Sequence, residues 1–452
     1  MKRYSLFIIT SILVSLNATA QKLTLEQCLE RARQNNHELR NAAFEIEAAS
    51  EQKKEAFTNY FPRISANVMA FRLFDELIKA DGTYPREIAA ISEQFIPLIG
   101  TPFSVSEFNR SYAVSATLVQ PLYHGGQIVS GNKLAKAQQD VMTLKQKLTE
   151  KEVLQKVTEC YWQLACVRYN LSTIEAAEKQ VDAVMAQVEL FLKAGVTTRN
   201  SLLKVRLRQQ ELSSNRLKLE NADHVLRLLL AQQIGIEPAV ADKDFDIIIE
   251  DYTVEQPIAT AEGQLGLSPD HREELQLLGK AVEAQELQVK MERGKYLPHL
   301  AVGLAGFHTG LGGFSDGVKS YMHTNINNGL VFGTLSIPIS DWWGGSHAIK
   351  RQKIKLQQAR DDQKNARQML QIDIERAWTN LQEAYKQTQI AQASCDEAAE
   401  NLRMSTEQYR MSTCTLTDLL DAETLNRRAQ NDLAQAKANY QIALADYRRK
   451  AL

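Results

Sequence analysis

Glycine and proline are scarce in this chain, 21 and 10 among 452 residues, so it has little of the turn chemistry that a core of short elements requires. Long uninterrupted elements are the alternative. Cysteine is scarcer still: Cys28, Cys160, Cys166, Cys395 and Cys414 have no CxxC spacing and are odd in number, which excludes a disulfide framework and leaves at least one thiol free. Cys160 and Cys166, six apart on a helix, read as small packing residues. Positive charge is not in surplus either, since the formal net charge is -1, which sets nucleic acid aside as a partner. The eight histidines form no HExxH or paired metal spacing, and no GxSxG, P-loop or GxGxxG occurs; 310–313 is read as a strand-flanking loop. Carboxylates are plentiful but spread over solvated helix faces with no pocket to tune them. The expectation is therefore no catalytic site, no cofactor, no metal site and no enzyme.

Long apolar runs are limited to one, residues 6–16. It follows Lys2 and Arg3 and precedes Ala18-Thr19-Ala20, the layout of a secretory leader, so residues 1–20 are expected to be removed and the mature chain to start at Gln21 in a bacterial periplasm or beyond. No cysteine follows the small residues, so lipidation is not indicated.

What is present is an internal two-fold repeat. Glu38-Leu39 followed by Tyr60-Phe61-Pro62 corresponds to Glu274-Leu275 followed by Tyr296-Leu297-Pro298, and Thr117-Leu118, Pro121 and Gly125-Gly126 correspond to Thr334-Leu335, Pro338 and Gly344-Gly345 once two extra residues around Trp342-Trp343 are allowed. The first repeat spans 21–234: a helix, a strand hairpin at 61–120, a long helix at 132–194 and a return helix at 197–234. A linker occupies 235–269, with 247–249 strand-like. The second repeat spans 270–452, with its hairpin at 298–338, long helix at 346–411 and return helix at 416–452. Neither long run contains Gly or Pro, and at about 1.5 Å per residue each helix would extend on the order of 95 to 100 Å. Val153, Val157, Cys160, Leu164, Val167, Leu171, Ile174, Val181, Met185, Val188 and Leu192 follow spacings of four and three, broken only by Glu178, and Leu370, Ile374, Ala377, Leu381 and Ala384 begin a matching seam in the second half. Left-handed coiled-coil packing follows.

Four segments of about ten residues, 64–71, 111–120, 300–308 and 329–337, suit tilted membrane strands, and 111–132 and 320–340 carry no Asp, Glu, Lys or Arg in a protein that is 24% charged. Alternation along them is weak. Four strands cannot close a pore, and open edges are forbidden in lipid, so several copies must each contribute; three give a twelve-stranded barrel. The fold class is thus mainly α with a membrane β part, the barrel running into a long helical coiled-coil barrel. The linkers 73–109 and 309–328 become outward loops.

This pattern resembles the TolC-type outer-membrane efflux protein family over essentially the whole of 23–452. The resemblance rests on Leu23-Thr24-Leu25-Glu26, Asn35-Asn36 and Glu38-Leu39, the two Tyr-x-Pro strand openings, the two Gly-Gly strand exits, and the stretch from Tyr409 to Asp421. It implies a homotrimer in outer-membrane lipid with its helical barrel projecting into the periplasm, an equatorial belt that includes 235–269, and a passive exit duct in a tripartite efflux or type I secretion system. The implied partners are a periplasmic adaptor and an inner-membrane pump of RND or ABC type. Asp418 and Asp421 match a pore-lining pair, Tyr409 a gate tyrosine and Asn200 a polar gate position. Gly195, Val196, Leu202 and Leu203, with Ser412 and Cys414 opposite, match the tips where an adaptor docks. Two departures are visible: Cys414 replaces the family's latch arginine and Ser201 its aspartate, so closure would rest on Tyr409, Asn200, Arg199 and packing. Asp418 also stands where a helix begins, a favourable place for an acid without any transport role. The competing reading is a structural or adhesive coiled-coil stalk without a channel.

Overall fold

A computed structural model describes residues 21–72, 108–237, 245–248, 254–257, 271–315 and 320–451. The expected leader, most of the loop at 73–109 and most of the linker at 235–269 lie outside these residues. The chain forms β1 (Gln21–Leu23), α1 (Leu25–Asn35), α2 (His37–Thr58), β2 (Arg63–Arg72), β3 (Phe108–His124), α3 (Gln127–Lys193), α4 (Arg199–Gln233), β4 (Phe245–Ile247), α5 (Glu273–Gly294), β5 (His299–Ser315), β6 (Ser320–Ser336), α6 (Gly344–Arg410) and α7 (Leu416–Ala451). They sort into two compact units, one of residues up to 47, 141–279 and 362 onward, the other of 48–140 and 280–361. Both long helices, 67 residues each, contribute to both units.

The first unit is helical. Thr24 starts α1 through a reciprocal capping box with Gln27, and buried Asn36 separates α1 from α2. The Asn36 Oδ1 accepts from the Glu38 and Leu39 amides at 2.7 and 3.2 Å, while its Nδ2 donates to the Gln233 carbonyl at 2.8 Å, so one side chain both starts α2 and closes the end of α4. Around it Leu23, Cys28, Val153, Val157, Leu164, Leu230, Ile234 and Ala438 form a core. β1, not read as a strand from the sequence, pairs in parallel with β4, and the strand expected at 247–249 is paired over 245–247. Its backbone, rather than any side-chain alternation, defines it. Every residue named in the two heptad seams is buried or half-buried, and the polar break Glu178 is met by Arg216 at 2.8 Å. All five cysteines are free thiols. Burial raises the Cys28 pKa to about 12, which marks that thiol as inert packing.

The second unit carries a four-stranded antiparallel sheet in the order β2-β3-β5-β6. Its strands outrun the charge-poor segments that announced them. In particular, 309–315 and 320–328 are strand rather than loop: β5 continues to Ser315 and β6 begins at Ser320, because backbone pairing proceeds through Gly310, Asn325 and Asn327 whatever their polarity. Tyr112 lies over Gly310, where an added Cβ would meet its ring at 2.1 Å. The long helices likewise start earlier than read, at Gln127 and Gly344, since one internal glycine does not stop a helix that packing supports. Below the sheet the chain crosses itself at Gly125 (φ +57°), whose Cβ would collide with the Gly294 carbonyl at 2.0 Å.

Register shows what alternation hid. Ile64 pairs with Leu118, Leu118 with Leu304 and Leu304 with Val331, one apolar row across the whole sheet. The row is exposed at its outer positions, Ile64 at 76% and Val331 at 80%, and β2 is exposed along its whole length on both faces. Among the described residues β2 and β6 each have one unpaired edge. No helix of the described residues is long and apolar enough to cross a membrane.

Candidate functional site

The two helical hairpins turn by the same backbone device. At the first tip the amides of Gly195 and Val196 bond to the carbonyls of Leu192 and Phe191, and at the second those of Ser412 and Thr413 bond to Tyr409 and Gln408, a Schellman closure in both cases. Gly195 takes φ +73°, and Ser412 takes φ +57° despite its side chain. Thr198 caps α4, accepting from the Ser201 amide at 3.4 Å. Thr415 caps α7 more completely: its amide and hydroxyl donate to Asp418 Oδ2 at 2.9 and 2.7 Å, and the Asp418 amide returns a bond to the hydroxyl at 3.3 Å. Those hydrogen bonds, the Thr415 hydroxyl first and its amide second, hold the Asp418 carboxyl below the ordinary carboxylate range.

The left-handed residue supplies a first prediction. Nothing crowds a Cβ at Gly195, so Gly195→Ala carries only the conformational cost, about 1 kcal/mol, whereas Ser412→Gly relieves that cost and returns part of it as chain entropy, a net gain of about 0.5 kcal/mol. Amide exchange at Thr413 should slow by about twofold in Ser412→Gly and that at Val196 should quicken by about fivefold in Gly195→Ala.

The two tips share one apolar cluster. Val181, Val184 and Val188 of α3, Val205 and Leu212 of α4, and Leu416 and Leu419 of α7 are buried, with Leu202, Leu402 and Tyr409 packed against them. Burial, with the neighbouring Cys414, raises the Tyr409 phenol. Cys414 is half-buried with its thiol 3.4 Å from the Ser405 carbonyl; burial and the nearby Asp418 carboxylate push it up. Around this cluster Arg199, Asn200, Leu203, Asp418 and Asp421 are exposed, as is Val196 at 73%. Asp418 and Asp421 are thus one turn apart on the uncovered side of α7. Among the described residues Asn200 makes no hydrogen bond with either.

Missing from the sequence reading is the charged link between the hairpins. Arg208 of α4 donates through Nε and Nη2 to Glu423 Oε2 of α7, at 2.9 and 2.5 Å, and both residues are buried. Glu211 takes a further Arg208 nitrogen at 2.6 Å. Burial works against the Arg208 charge, but its hydrogen bonds and the charges of Glu423 and Glu211 outweigh that and raise its pKa. Lys204 adds a bond to the Thr417 hydroxyl at 2.9 Å. A signal was there: Val205, Arg208 and Leu212, like Leu416, Leu419 and Glu423, step by three and four, so each return helix carries one charge in an otherwise apolar seam. The hairpins are therefore bridged by charge at 208 and 423, not at the 201 and 414 positions.

Comparison with known proteins places this architecture. The chain matches the family described as outer membrane efflux protein over residues 28–232 and 268–449. Its fold is that of the outer membrane protein VceC of Vibrio cholerae (TM-score 0.73, 14% identity, 94% of this chain and 95% of that one). It is likewise that of the Campylobacter jejuni CmeC outer membrane channel (TM-score 0.74, 15%, 94% and 85%). The open state of the Neisseria gonorrhoeae MtrE outer membrane channel also matches (TM-score 0.69, 16%, 94% and 88%). No curated protein matches by sequence.

Proposed function

Because the chain belongs to the outer membrane efflux protein family, we propose that it is the outer-membrane channel subunit of a tripartite efflux or type I secretion system, a passive trimeric exit duct across periplasm and outer membrane. The observation that carries the reading is the incompleteness of the single chain. Among the described residues its sheet has two unpaired edges and an apolar row in the open, a state lipid does not tolerate until other copies close the edges. Three copies close a barrel of twelve strands. The helical part is unfinished in the same way, since Leu203, Leu207, Leu217 and Val225 share one heptad face of α4 and are exposed. Each half of the repeat contributes one strand pair and one helical hairpin, and 235–269 belongs to the belt around the shaft. At the tips, Asp418 and Asp421 form a carboxylate ring at the pore constriction, with Tyr409 and Asn200 beside it. Gly195, Val196, Leu202, Leu203, Ser412 and Cys414 form the surface an adaptor occupies. The chain has no nucleotide-binding motif, so an inner-membrane pump of RND or ABC type supplies the drive.

Purified full-length protein in a planar bilayer should yield cation-preferring channels, with a particle mass of three chains. Detergent-stable trimers that never conduct would overturn the channel in favour of a coiled-coil stalk.

A further inference from the structure

The turn joining β6 to α6 is built against its own residue types. In the Asp341–Gly344 turn, closed by the Gly344 amide on the Asp341 carbonyl at 2.7 Å, both central residues are left-handed, and both are tryptophans: Trp342 at φ 41° and Trp343 at φ 68°. Gly or Asn is the usual occupant of such positions, and bulky residues are held there only where something compensates. Among the described residues little covers them: the two indoles meet edge to face, 6.4 Å apart, yet Trp342 and Trp343 are 81% and 75% exposed and Ile339, just before them, is 94% exposed. These are also the residues around which the second half of the chain is longer than the first.

Charge changes abruptly beyond them. The first seventeen residues of α6, 344–360, contain Lys350, Arg351, Lys353, Lys355 and Arg360 and no acid. Like charges three and four apart on a helix, as at Lys350 and Lys353 or Arg351 and Lys355, oppose one another. Arg360 is met by Glu286, but the other four are exposed and form no ion pair among the described residues. Lys350 and Lys353 share with Ile339, Trp343, Ile349 and Tyr296 an open groove of about 790 Å³; the Asp341 carboxylate also lines it. Along the chain the order is therefore exposed aliphatic (Val331, Leu335, Ile337, Ile339), then indole, then unpaired cation. A bilayer presents acyl chain, interface and phosphate in the same order.

We propose that the Trp342–Trp343 turn and the Lys350–Lys353 face of α6 form an anchoring foot that seats on the phosphate headgroups of an anionic phospholipid leaflet, the indoles at the interface and the lysines on phosphate. The inference rests on the reading of the sheet as lipid-facing and adds to it a defined stopping level and a lipid preference. The test uses the full chain with Trp162→Phe and Trp378→Phe, so that only Trp342 and Trp343 emit, reconstituted in phosphatidylcholine vesicles containing phosphatidylglycerol brominated either near the headgroup or deep in the chain. Shallow bromines should quench the emission at least about twofold and deep ones much less. Replacing Lys350 and Lys353 by Gln should abolish the advantage of brominated phosphatidylglycerol over brominated phosphatidylcholine, about fivefold per lysine, while leaving quenching itself in place. If the tryptophan-reduced chain fails to assemble, the difference in emission between the parent and Trp342→Phe with Trp343→Phe reads the same quantity. Vesicle-borne protein whose indoles are unquenched, or quenched equally by both lipids, overturns the foot and leaves the lipid-facing sheet standing. Protein that does not float with vesicles overturns the sheet reading first.

Discussion

Asp418→Asn combined with Asp421→Asn is expected to abolish the cation preference of the reconstituted channel, lowering the cation-to-anion permeability ratio on the order of tenfold, toward unity. In the proposed trimer six carboxylates gather at one constriction and raise the local cation concentration, and asparagine removes the charge at nearly constant volume. The two positions are not equivalent. The Asp418 carboxylate is also the acceptor of the α7 capping box, so its loss disturbs the second tip as well as the ring. Asp421 is exposed one turn on and outside that box, so Asp421→Asn alone should reduce selectivity without altering amide exchange at the α7 start. The pH dependence follows from the direction of the Asp418 shift. Its pKa is depressed by the Thr415 bonds, so its charge and its capping contribution are in place above the ordinary carboxylate value of 3.8 and are lost only as pH falls through the lower folded value. Selectivity that persists in the double variant, read from reversal potentials across a salt gradient, would remove the carboxylates from the pore.

Removing one partner of the buried link gives the second large effect. Glu423→Ala leaves the Arg208 guanidinium buried with only Glu211, itself half in water, and should destabilise the packing of α4 on α7 by about 3 kcal/mol, the lower part of the range for such a break. The remaining Arg208–Glu211 bond is the reason for the lower part. Replacing both residues by methionine should cost far less or stabilise, since desolvation of both charges disappears and the Glu423 Oε1, buried without a hydrogen-bond partner, is no longer there to be satisfied. Thermal unfolding followed by helical circular dichroism distinguishes the two variants. Equal losses in Glu423→Ala and in the double methionine variant would show that the site is held by shape rather than by charge. The consequence for the channel is mechanical: whatever parts the hairpins must break or carry this pair, because the 201 and 414 positions hold a serine and a cysteine.

The long helices were legible because their cause is local. Freedom from Gly and Pro over more than sixty residues and a sustained four-three spacing leave few other structures, and the seam residues Val153 through Leu192 are covered as that spacing requires. The tips were legible for the same reason, as short breaks at Gly195 and Ser412 that end each long run, whereas the threonines that cap the return helices, Thr198 and Thr415, were found only in the structure. Where the reading failed, composition had been asked to stand in for pairing. The 309–328 stretch is polar and glycine-rich and looks like a loop, yet 309–315 and 320–328 belong to β5 and β6, since a strand needs only a partner for its amides and carbonyls.

Sequence alone determined the parts that depend on neighbours a few residues away: the long helical runs, their seam, the breaks between them, and the absence of recognised catalytic motifs. Tertiary structure decided what depends on residues far apart in the chain. It set the register that aligns Ile64, Leu118, Leu304 and Val331, the meeting of Arg208 with Glu423 across 215 positions, and the left-handed exposure of two adjacent tryptophans. Helical hydrogen bonds close within four residues, so propensity and periodicity report them directly; strand register and buried ion pairs are fixed only when distant segments pack, and no local pattern carries that information.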